Sequence, residues 1–230
     1  GKYMGDADAA GRAVPELQFS TYYVTEQPIT PFSVTTQYGD VVIVKQVESD
    51  ARAEALSRFM AVGSDNLVGM ADHPIRGREL KHSVVPSALT YAEKVGKARR
   101  QAILDAAEGK RLFEGIVTGE TAWEIKDGFT LGDIYLQGHG KFKNSLGRVW
   151  YKNENMVFWI DEEVKLTCPD LICIVEKKTG MPVTNPNCNE GMELCVLGFK
   201  CHELWRRDRG MDILNPRFFG FDMDCRFLED

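Results

Sequence analysis

The chain has 230 residues, of which 43% are hydrophobic and 27% are charged, a composition typical of folded soluble proteins rather than disordered or collagen-like ones. It has no apolar run near the roughly 18 residues that a membrane-spanning helix needs. Its 28 basic and 34 acidic side chains give a net charge of −6. The sequence therefore argues against an integral membrane protein and against a nucleic-acid partner, which requires a cationic surface.

All six cysteines lie in the last third of the chain. No Cys-x-x-Cys pair, glycosylation sequon or secretory leader is visible, so the pattern favours neither a structural zinc knot nor a disulfide framework. Several cysteines fall in apolar runs, where a reduced thiol acts as a small core residue. We therefore expect free cysteines in a cytoplasmic protein.

The first half alternates patterns typical of strands and helices. Phe19–Val24 is aromatic and β-branched, which predicts a strand. Val41–Val44 is a continuous apolar run, which predicts a strand buried on both faces. Asn66–Met70 is a further short strand candidate.

A helix is predicted between the last two of these runs. Asp50 caps its start, Gly63 suits the C′ position at its end, and Glu54 and Arg58 form an i,i+4 ion pair. Several apolar side chains share one stripe, which predicts the buried face: Ala51, Ala55, Leu56, Phe59 and Met60.

A longer helix is expected from Pro86 to Glu108, and after Gly109 the pattern changes to short apolar runs between turns. The sequence thus predicts an α+β protein. Residues 1–109 form the α/β portion of an N-terminal domain that starts as if truncated, and residues 110–230 form a predominantly β domain. The strand candidates of the second part are Leu112–Val117, Gly132–Leu136, Arg148–Ile160, Leu171–Val175, Glu193–Phe199 and Phe219–Phe227.

The densest polar cluster lies near the start, at Asp6, Asp8, Arg12 and Glu16. Carboxylates two residues apart can face one way in an extended segment, where they hold a divalent cation such as zinc or share a proton. A nearby arginine can grip a carboxylate or polarise a carbonyl. The alternative is an acidic, solvated segment in which Arg12 pairs locally.

A second polar cluster, Asn153-Glu154-Asn155, interrupts the apolar run Arg148–Ile160. In a strand these three residues place polar groups on both faces, and each polar group buried without a partner costs about 1–3 kcal/mol. They should therefore meet partners or a ligand, unless they form a β-bulge or an exposed strand end.

Asp170 and the four histidines are further polar residues that could belong to a site. Asp170 precedes a buried-looking strand, where it either forms an Asx turn or points into a cleft. The four histidines are each expected to be structural. His73 precedes Pro74, which predicts an extended backbone with Asp72 on the opposite face.

Several segments together resemble one family. Residues 6–18 match the signature D-x-D-x-x-G-R-A-x-P-E-L-Q of the S-methyl-thiohydantoin desulfurase-like family, whose genes lie beside or are fused to hydantoinase and oxoprolinase genes. Further matches follow in order over nearly the whole chain. They are Asn153-Glu154-Asn155, Pro169-Asp170-Leu171-Ile172, Thr179-Gly180-x-Pro182, Val196-Leu197-Gly198, Trp205 and Pro216-x-x-Phe219-Gly220-x-Asp222.

The resemblance implies an α/β domain followed by a β-rich domain, and hydrolysis of a C–S or C–N bond in a cyclic thiohydantoin or hydantoin-like substrate. Members of the family carry a glycine-rich segment before the signature. The chain therefore resembles the C-terminal portion of a larger polypeptide, such as a hydantoinase/oxoprolinase fusion.

From the clusters and the motif matches we assign provisional roles. Asp6 or Asp8 activates water, directly or through a metal, and Glu16 or Glu154 moves protons. The substrate-binding candidates are Arg12, Asn153, Asn155 and Asp170. These assignments require the acidic segment and the amide-rich segment to meet at one cavity.

The alternative function is a non-catalytic module that docks on a hydantoinase/oxoprolinase domain. For either function we expect a homo-oligomer. In the first case the partner is a small cyclic amide or thioamide, and in the second it is the rest of a larger polypeptide.

Overall fold

The structure, a computed structural model, describes residues 5–100 and 109–229, without the side chain of Arg100. Contacts divide the chain into two compact units, Gly1–Ser87 and Ala88–Asp230. Residues 101–108, which complete the predicted long helix and precede the predicted boundary at Gly109, lie outside the described residues. Helices together with antiparallel sheets, the largest of them in the second unit, confirm the α+β class.

The described residues of the first unit, 5–87, form two antiparallel sheets and three helices. The larger sheet has the order β3-β2-β4, and the smaller one pairs β1 with β5. The strands are β1 (Ala7–Asp8), β2 (Phe32–Thr36), β3 (Val41–Val44), β4 (Val68–Ala71) and β5 (Val85–Pro86). The helices are α1 (Thr21–Val24), α2 (Asp50–Val62) and α3 (Gly77–Ser83).

The predicted strand Phe19–Val24 is wrong, because this segment forms the short helix α1. Ser20 caps the helix, and its hydroxyl accepts a hydrogen bond from the Tyr23 N–H at 3.1 Å. The buried Thr21 hydroxyl contacts the carbonyls of Ala9 at 2.9 Å and Ser83 at 2.6 Å. Capping and these two non-local contacts outweigh the β propensity of the aromatic side chains.

The predicted burial of the run Val41–Val44 is also wrong. The run does form a strand, β3, but it lies at the edge of its sheet, and Val41 and Ile43 are 62% and 67% exposed. An apolar run shows that a strand forms, but not how many of its faces are covered.

Helix α2 has the predicted length but a different buried face. Ser49, not Asp50, caps it, since the Ser49 hydroxyl accepts from the Arg52 N–H at 3.2 Å. Phe59 is 82% exposed, and the buried side chains are Ala53, Glu54 and Ser57. Gly63 ends the helix with a right-handed backbone rather than the left-handed one of a C′ glycine.

The second unit begins with α4 (Ala88–Arg100) and continues as an eight-stranded antiparallel sheet. Its order is β11-β10-β9-β8-β6-β13-β12, with β7 paired to β8. The strands are β6 (Lys110–Val117), β7 (Ala122–Lys126), β8 (Phe129–Gly138), β9 (Leu146–Lys152), β10 (Glu154–Ile160), β11 (Glu163–Thr167), β12 (Leu171–Glu176) and β13 (Glu193–Phe199). Helix α5 (Asp208–Ile213) and short 3₁₀ turns at Gly140–Phe142, Glu203–Arg206 and Pro216–Phe219 complete the unit.

This sheet curls around one core. Leu166 of β11 and Ile172 of β12, the strands at the two ends of the order, belong to the same buried cluster. Helix α4 lies against a second cluster, in which Val95 packs on Val175 and Leu197. No helix among the described residues is both long enough and apolar enough to span a bilayer.

The fully buried ring of Phe113 fixes the close approach of neighbouring strands. A Cβ atom added to Gly147 of β9 would lie 2.8 Å from the Phe113 ring. A Cβ atom at Gly138 of β8 would lie 2.9 Å from the same ring and 2.2 Å from the Phe142 carbonyl oxygen. The ring therefore occupies space that only glycine leaves open at these positions.

We predict that Gly147→Ala lowers the free energy of unfolding by about 1–3 kcal/mol, because the added methyl group overpacks the core against Phe113. Urea denaturation of the chain measures the change. The matched control is Gly69→Ala on β4, where the new methyl group makes only an ordinary contact at 3.9 Å. Equal stability of the two variants would contradict this account of the core.

All six cysteines are thiols outside any disulfide, and burial raises the pKa of the Cys188 thiol from its ordinary 9.0 to about 11. The folded protein therefore holds this proton more tightly than the unfolded chain. The resulting stabilisation is complete below pH 9 and disappears as the pH rises to about 11.

We predict that the stability advantage of the wild type over Cys188→Ala shrinks across this window, by about 1.4 kcal/mol per pH unit. Urea denaturation at pH 8, 9, 10 and 11 measures this difference, and a constant difference would contradict the prediction.

Candidate functional site

An open cleft of about 480 Å³ lies in the first unit. Segment 8–22, helix α2 and the loop after β4 supply its lining. The charged and polar residues on which the following argument depends are Asp8, Arg12, Glu16, Tyr22, Asp72 and His73. Small and aliphatic side chains from Ala9 to Leu17 form much of the remaining wall. A largely apolar cleft with a few convergent polar groups is the usual form of a small-molecule site.

The start of the signature segment folds as a tight turn. The Gly11 N–H donates to Asp8 Oδ2 at 2.6 Å, and Gly11 has a positive φ of 67°. A Cβ atom at Gly11 would lie 3.1 Å from the Val85 side chain. One carboxylate oxygen of Asp8 is therefore engaged in shaping the turn, and Arg12 follows directly on the cleft wall.

Helix α2 anchors the next part of the signature. Glu54 is only 8% exposed, and its Oε2 accepts the Leu17 N–H at 2.9 Å. Arg58 pairs with Glu54 at 2.5 Å and also donates to the Pro15 carbonyl at 3.0 Å. The predicted i,i+4 pair is confirmed, and it holds the backbone on both sides of Glu16.

Gln18 reaches back to Glu16 within this anchored segment. The Gln18 Nε2 donates to Glu16 Oε2 at 2.6 Å. Gln18 itself is 7% exposed, and its Oε1 has no hydrogen-bond partner among the described residues. The buried amide therefore orients the Glu16 carboxylate at the cleft.

The loop after β4 contributes an Asp–His pair that the sequence analysis missed. His73 Nδ1 lies 2.6 Å from Asp72 Oδ1, although the two were predicted to face opposite sides of an extended segment. His73 has a positive φ of 45°, so the chain turns sharply here and brings adjacent side chains together. A left-handed backbone immediately before a proline is rare, and such strain is concentrated at functional sites.

The other nitrogen of His73 is free to act. The Asp72 carboxylate accepts from Nδ1, so in the neutral ring Nδ1 carries the hydrogen and Nε2 presents a lone pair. His73 is 6% exposed, and its Nε2 has no hydrogen-bond partner among the described residues. A buried, unsatisfied nitrogen on the lining of a cleft is the kind of group that a ligand or a water molecule completes.

Tyr22 of α1 packs against this histidine. The two rings are stacked, with centroids 4.5 Å apart and planes inclined by 30°. Burial, followed by the charges of Asp72 and Asp8, raises the pKa of Tyr22 above its ordinary 10. The cleft therefore combines a base, its orienting carboxylate and a protonated phenol.

Of the candidates from the acidic segment, Asp8, Arg12 and Glu16 line this cleft. Asp6 does not line it; it is exposed, and its carbonyl accepts the Ser87 N–H at 2.8 Å. The structure thus gathers three of the four predicted side chains around the Asp72–His73 pair.

The second polar cluster turns out to be a hairpin rather than the interior of one strand. Asn153, at a φ of 54°, joins β9 to β10, and its Oδ1 accepts the Thr130 N–H at 2.8 Å. Asn155 donates to the Ile172 carbonyl at 2.9 Å and accepts from Asn185 at 2.8 Å. These amides satisfy backbone groups of the curled sheet, and Glu154 between them is half-buried. Their part in substrate binding remains a prediction.

Asp170 is completely buried in the second unit and anchors the end of the chain. Its Oδ1 accepts from the Cys201 N–H at 2.9 Å and from Arg206 at 3.2 Å, and its Oδ2 accepts the Leu228 N–H at 2.8 Å. This arrangement differs from both a local Asx turn and a side chain in a cleft. Three well-separated segments are tied together by one carboxylate.

We predict that Asp170→Asn lowers the free energy of unfolding by about 2–4 kcal/mol, since an amide replaces a carboxylate surrounded by donors. Urea denaturation measures the loss, and the exposed Asp212→Asn is the control, expected within about 0.5 kcal/mol of the wild type. If Asp170 instead serves substrate binding, its variant would keep its stability and bind substrate more weakly.

The described part of the chain does not provide a set of ligands for the divalent metal that the sequence analysis suggested. No group of three or more His, Cys, Asp or Glu side chains is arranged there to hold an ion. The Asp6–Asp8 pair alone supplies too few ligands for a stable zinc site. We therefore derive no step that passes through a metal.

In the sequence, the feature that could have predicted the Asp–His pair is the run Asp72-His73-Pro74. A polar pair directly after a strand and before a proline marks a sharp loop, and such loops often carry catalytic groups. Because an extended backbone was expected at His73, the contact between the Asp72 and His73 side chains was not predicted.

Comparison with known proteins fits this architecture. A crystal structure of a protein from Chromobacterium violaceum is similar, with a TM-score of 0.76 at 20% sequence identity. The match covers 97% of this chain and 66% of that one, and at this identity it establishes the fold alone. No curated protein matches the sequence.

Two family models match nearly the whole chain. The model of the S-Me-THD-like N-terminal domain matches residues 1–46, and that of the S-Me-THD-like C-terminal domain matches residues 48–228. The motifs read from the sequence pointed to the same family. The chain therefore belongs to the S-Me-THD-like, or S-methyl-thiohydantoin desulfurase-like, family.

Proposed function

We propose that the cleft of the first unit hydrolyses the C–S bond of a cyclic S-methyl-thiohydantoin, with the C–N bond of a hydantoin-like ring as the second possible target. The observation that carries this proposal is the buried, unpartnered Nε2 of His73, whose ring Asp72 orients at 2.6 Å. Membership of the S-Me-THD-like family supports the choice of substrate.

The chemistry needs one group that takes a proton and later returns it. His73 Nε2 takes a proton from water, and the water oxygen attacks the ring carbon that carries sulfur. The ring C=N bond becomes a single bond, and its electron pair moves onto the ring nitrogen, which receives the proton of the newly added hydroxyl group as the carbonyl forms. When the intermediate collapses, the C–S bond breaks and the departing thiolate takes the proton from His73. Substrate and water thereby become a hydantoin and methanethiol.

Asp72 keeps the histidine effective throughout this cycle. A carboxylate on Nδ1 fixes the tautomer and stabilises the imidazolium that forms when Nε2 takes the proton. This role requires Asp72 to remain an acceptor, which its contact with Nδ1 provides.

The remaining cleft residues are assigned to binding and to proton movement. Arg12 offers a positive charge to a substrate carboxylate or to a polarised carbonyl. Two carboxylates can accept hydrogen bonds from ring N–H groups or hold the attacking water. They are Glu16, which Gln18 orients, and Asp8, whose second oxygen is not used by the turn contact with Gly11. The roles predicted from the sequence for Asp6, Asn153, Glu154, Asn155 and Asp170 stay predictions, since none of these residues belongs to the lining of this cleft.

We predict that His73→Asn in the full-length natural protein lowers kcat for S-methyl-thiohydantoin by about 10²–10⁴-fold, the range that general acid–base catalysis supplies. Asparagine tolerates the left-handed backbone, so the loop should keep its shape. Thiol release, followed with a chromogenic disulfide reagent, measures turnover, and circular dichroism checks folding.

The control for this experiment is His82→Asn on α3, where the histidine is exposed and does not line the cleft. Asp72→Asn should impair turnover as well, since an amide can stabilise the wrong tautomer. Full activity of His73→Asn would remove the cleft from the reaction.

A second candidate function, docking on a hydantoinase/oxoprolinase-type domain, has one observation in its favour. Every residue of β7 is exposed, and Trp123 and Ile125 are 51% and 71% exposed on a strand whose described pairing is to β8. Exposed apolar side chains on an edge strand suit association with another chain. Co-purification that Trp123→Ser abolishes, without any ring hydrolysis by the wild type, would favour this function over the first.

A further inference from the structure

We propose that Tyr22 is a catalytic residue of this cleft, whose hydroxyl donates a hydrogen bond to the ring nitrogen that gains negative charge during attack. This inference rests on the proposed hydrolysis and adds a second functional group to it. It concerns a residue outside every polar cluster that the sequence analysis singled out.

The geometry places the phenol beside the reacting base. Tyr22 lines the same cleft as His73, and their stacked rings are 4.5 Å apart. The Ser20 cap and the hydrogen bonds of the neighbouring Thr21 fix the backbone of α1, and the Tyr22 ring stacks on His73. Because the two stacked rings line the same cleft, a ligand that contacts His73 there comes within reach of Tyr22.

The Tyr22 hydroxyl is available for a ligand. No hydrogen bond joins it to another described residue, although both of its neighbours Thr21 and Tyr23 make several contacts. Burial and the nearby carboxylates of Asp72 and Asp8 keep its pKa above 10, so the phenol stays protonated at neutral pH. The group is therefore a hydrogen-bond donor at neutral pH.

The reaction has a need that this donor meets. When water adds to the C=N bond of an S-methyl-thiohydantoin, the electron pair of that bond moves onto the ring nitrogen. His73 is engaged with the water at that moment, so another group must stabilise the new charge. A donor fixed in a partly desolvated site before the reaction stabilises such charge far better than water does.

Tyr22→Phe separates this role from packing. Phenylalanine keeps the aromatic ring that stacks on His73 and removes only the hydroxyl. We expect Tyr22→Phe to lower kcat for S-methyl-thiohydantoin about 10²-fold in the full-length natural protein, with KM changed less than threefold. The matched control is Tyr23→Phe, on the same helix but outside the cleft lining, which should keep wild-type kcat.

The outcomes distinguish the two proposals. If His73→Asn is inactive and Tyr22→Phe turns over like the wild type, the role of Tyr22 is overturned while the hydrolysis stands. If Tyr22→Phe loses kcat but also loses the folded far-ultraviolet spectrum that Tyr23→Phe keeps, the hydroxyl is structural and the proposal fails. If the wild type turns over neither S-methyl-thiohydantoin nor hydantoin, both proposals fall together.

Discussion

The 2.6 Å contact between Asp72 and His73 decides what the cleft of the first unit can do. It exists only because the backbone of His73 is left-handed, which brings the side chains of adjacent residues together instead of apart. The same conformation directs the imidazole into the protein, where it is 94% buried and stacks on Tyr22. Strain of this kind costs about 1–3 kcal/mol, so the surrounding contacts must hold it in place. One of them is the hydrogen bond from the His73 N–H to the Ile29 carbonyl.

Buried carboxylates act as anchors in both units. Glu54 binds the backbone of the signature segment from helix α2, and Asp170 binds three segments at the end of the chain. In each case the acceptor oxygens satisfy N–H groups that lie outside helices and sheets. Irregular segments have no neighbouring strand to take their hydrogen bonds, so a buried acid placed at the right point substitutes for one. Glu54 and Asp170 therefore both have a structural role in the fold.

The sequence predicted the β-rich second unit well and the first unit less well. Alternating or apolar runs between turns located β6, β8, β12 and β13, since each strand is long enough to show its pattern. It failed at α1 and at Asn153, where a cap or a single left-handed residue decides the structure. The predicted strand Phe219–Phe227 is also wrong, because a 3₁₀ turn ends at Phe219 and the residues after it form no strand. The buried face of α2 was missed because Glu54 and Ser57 turn inward to meet the signature segment and β4, and this partner is invisible in a helical stripe.

At the candidate site, the residues that mark family membership differ from the residues at the centre of the proposed reaction. The motif residues Asp8, Gly11, Asn155 and Asp170 form turns and anchors of the fold. Tyr22, Asp72 and His73 lie outside those motifs, yet they supply the unpartnered base, its orienting acceptor and a free phenol. Part of the family motifs therefore shapes the scaffold, while the motif residues Arg12 and Glu16 line the cleft. The proposed reactive groups come together only in the folded chain. There the loop after β4 and helix α1, which are far apart in sequence, place the side chains of His73 and Tyr22 against one another.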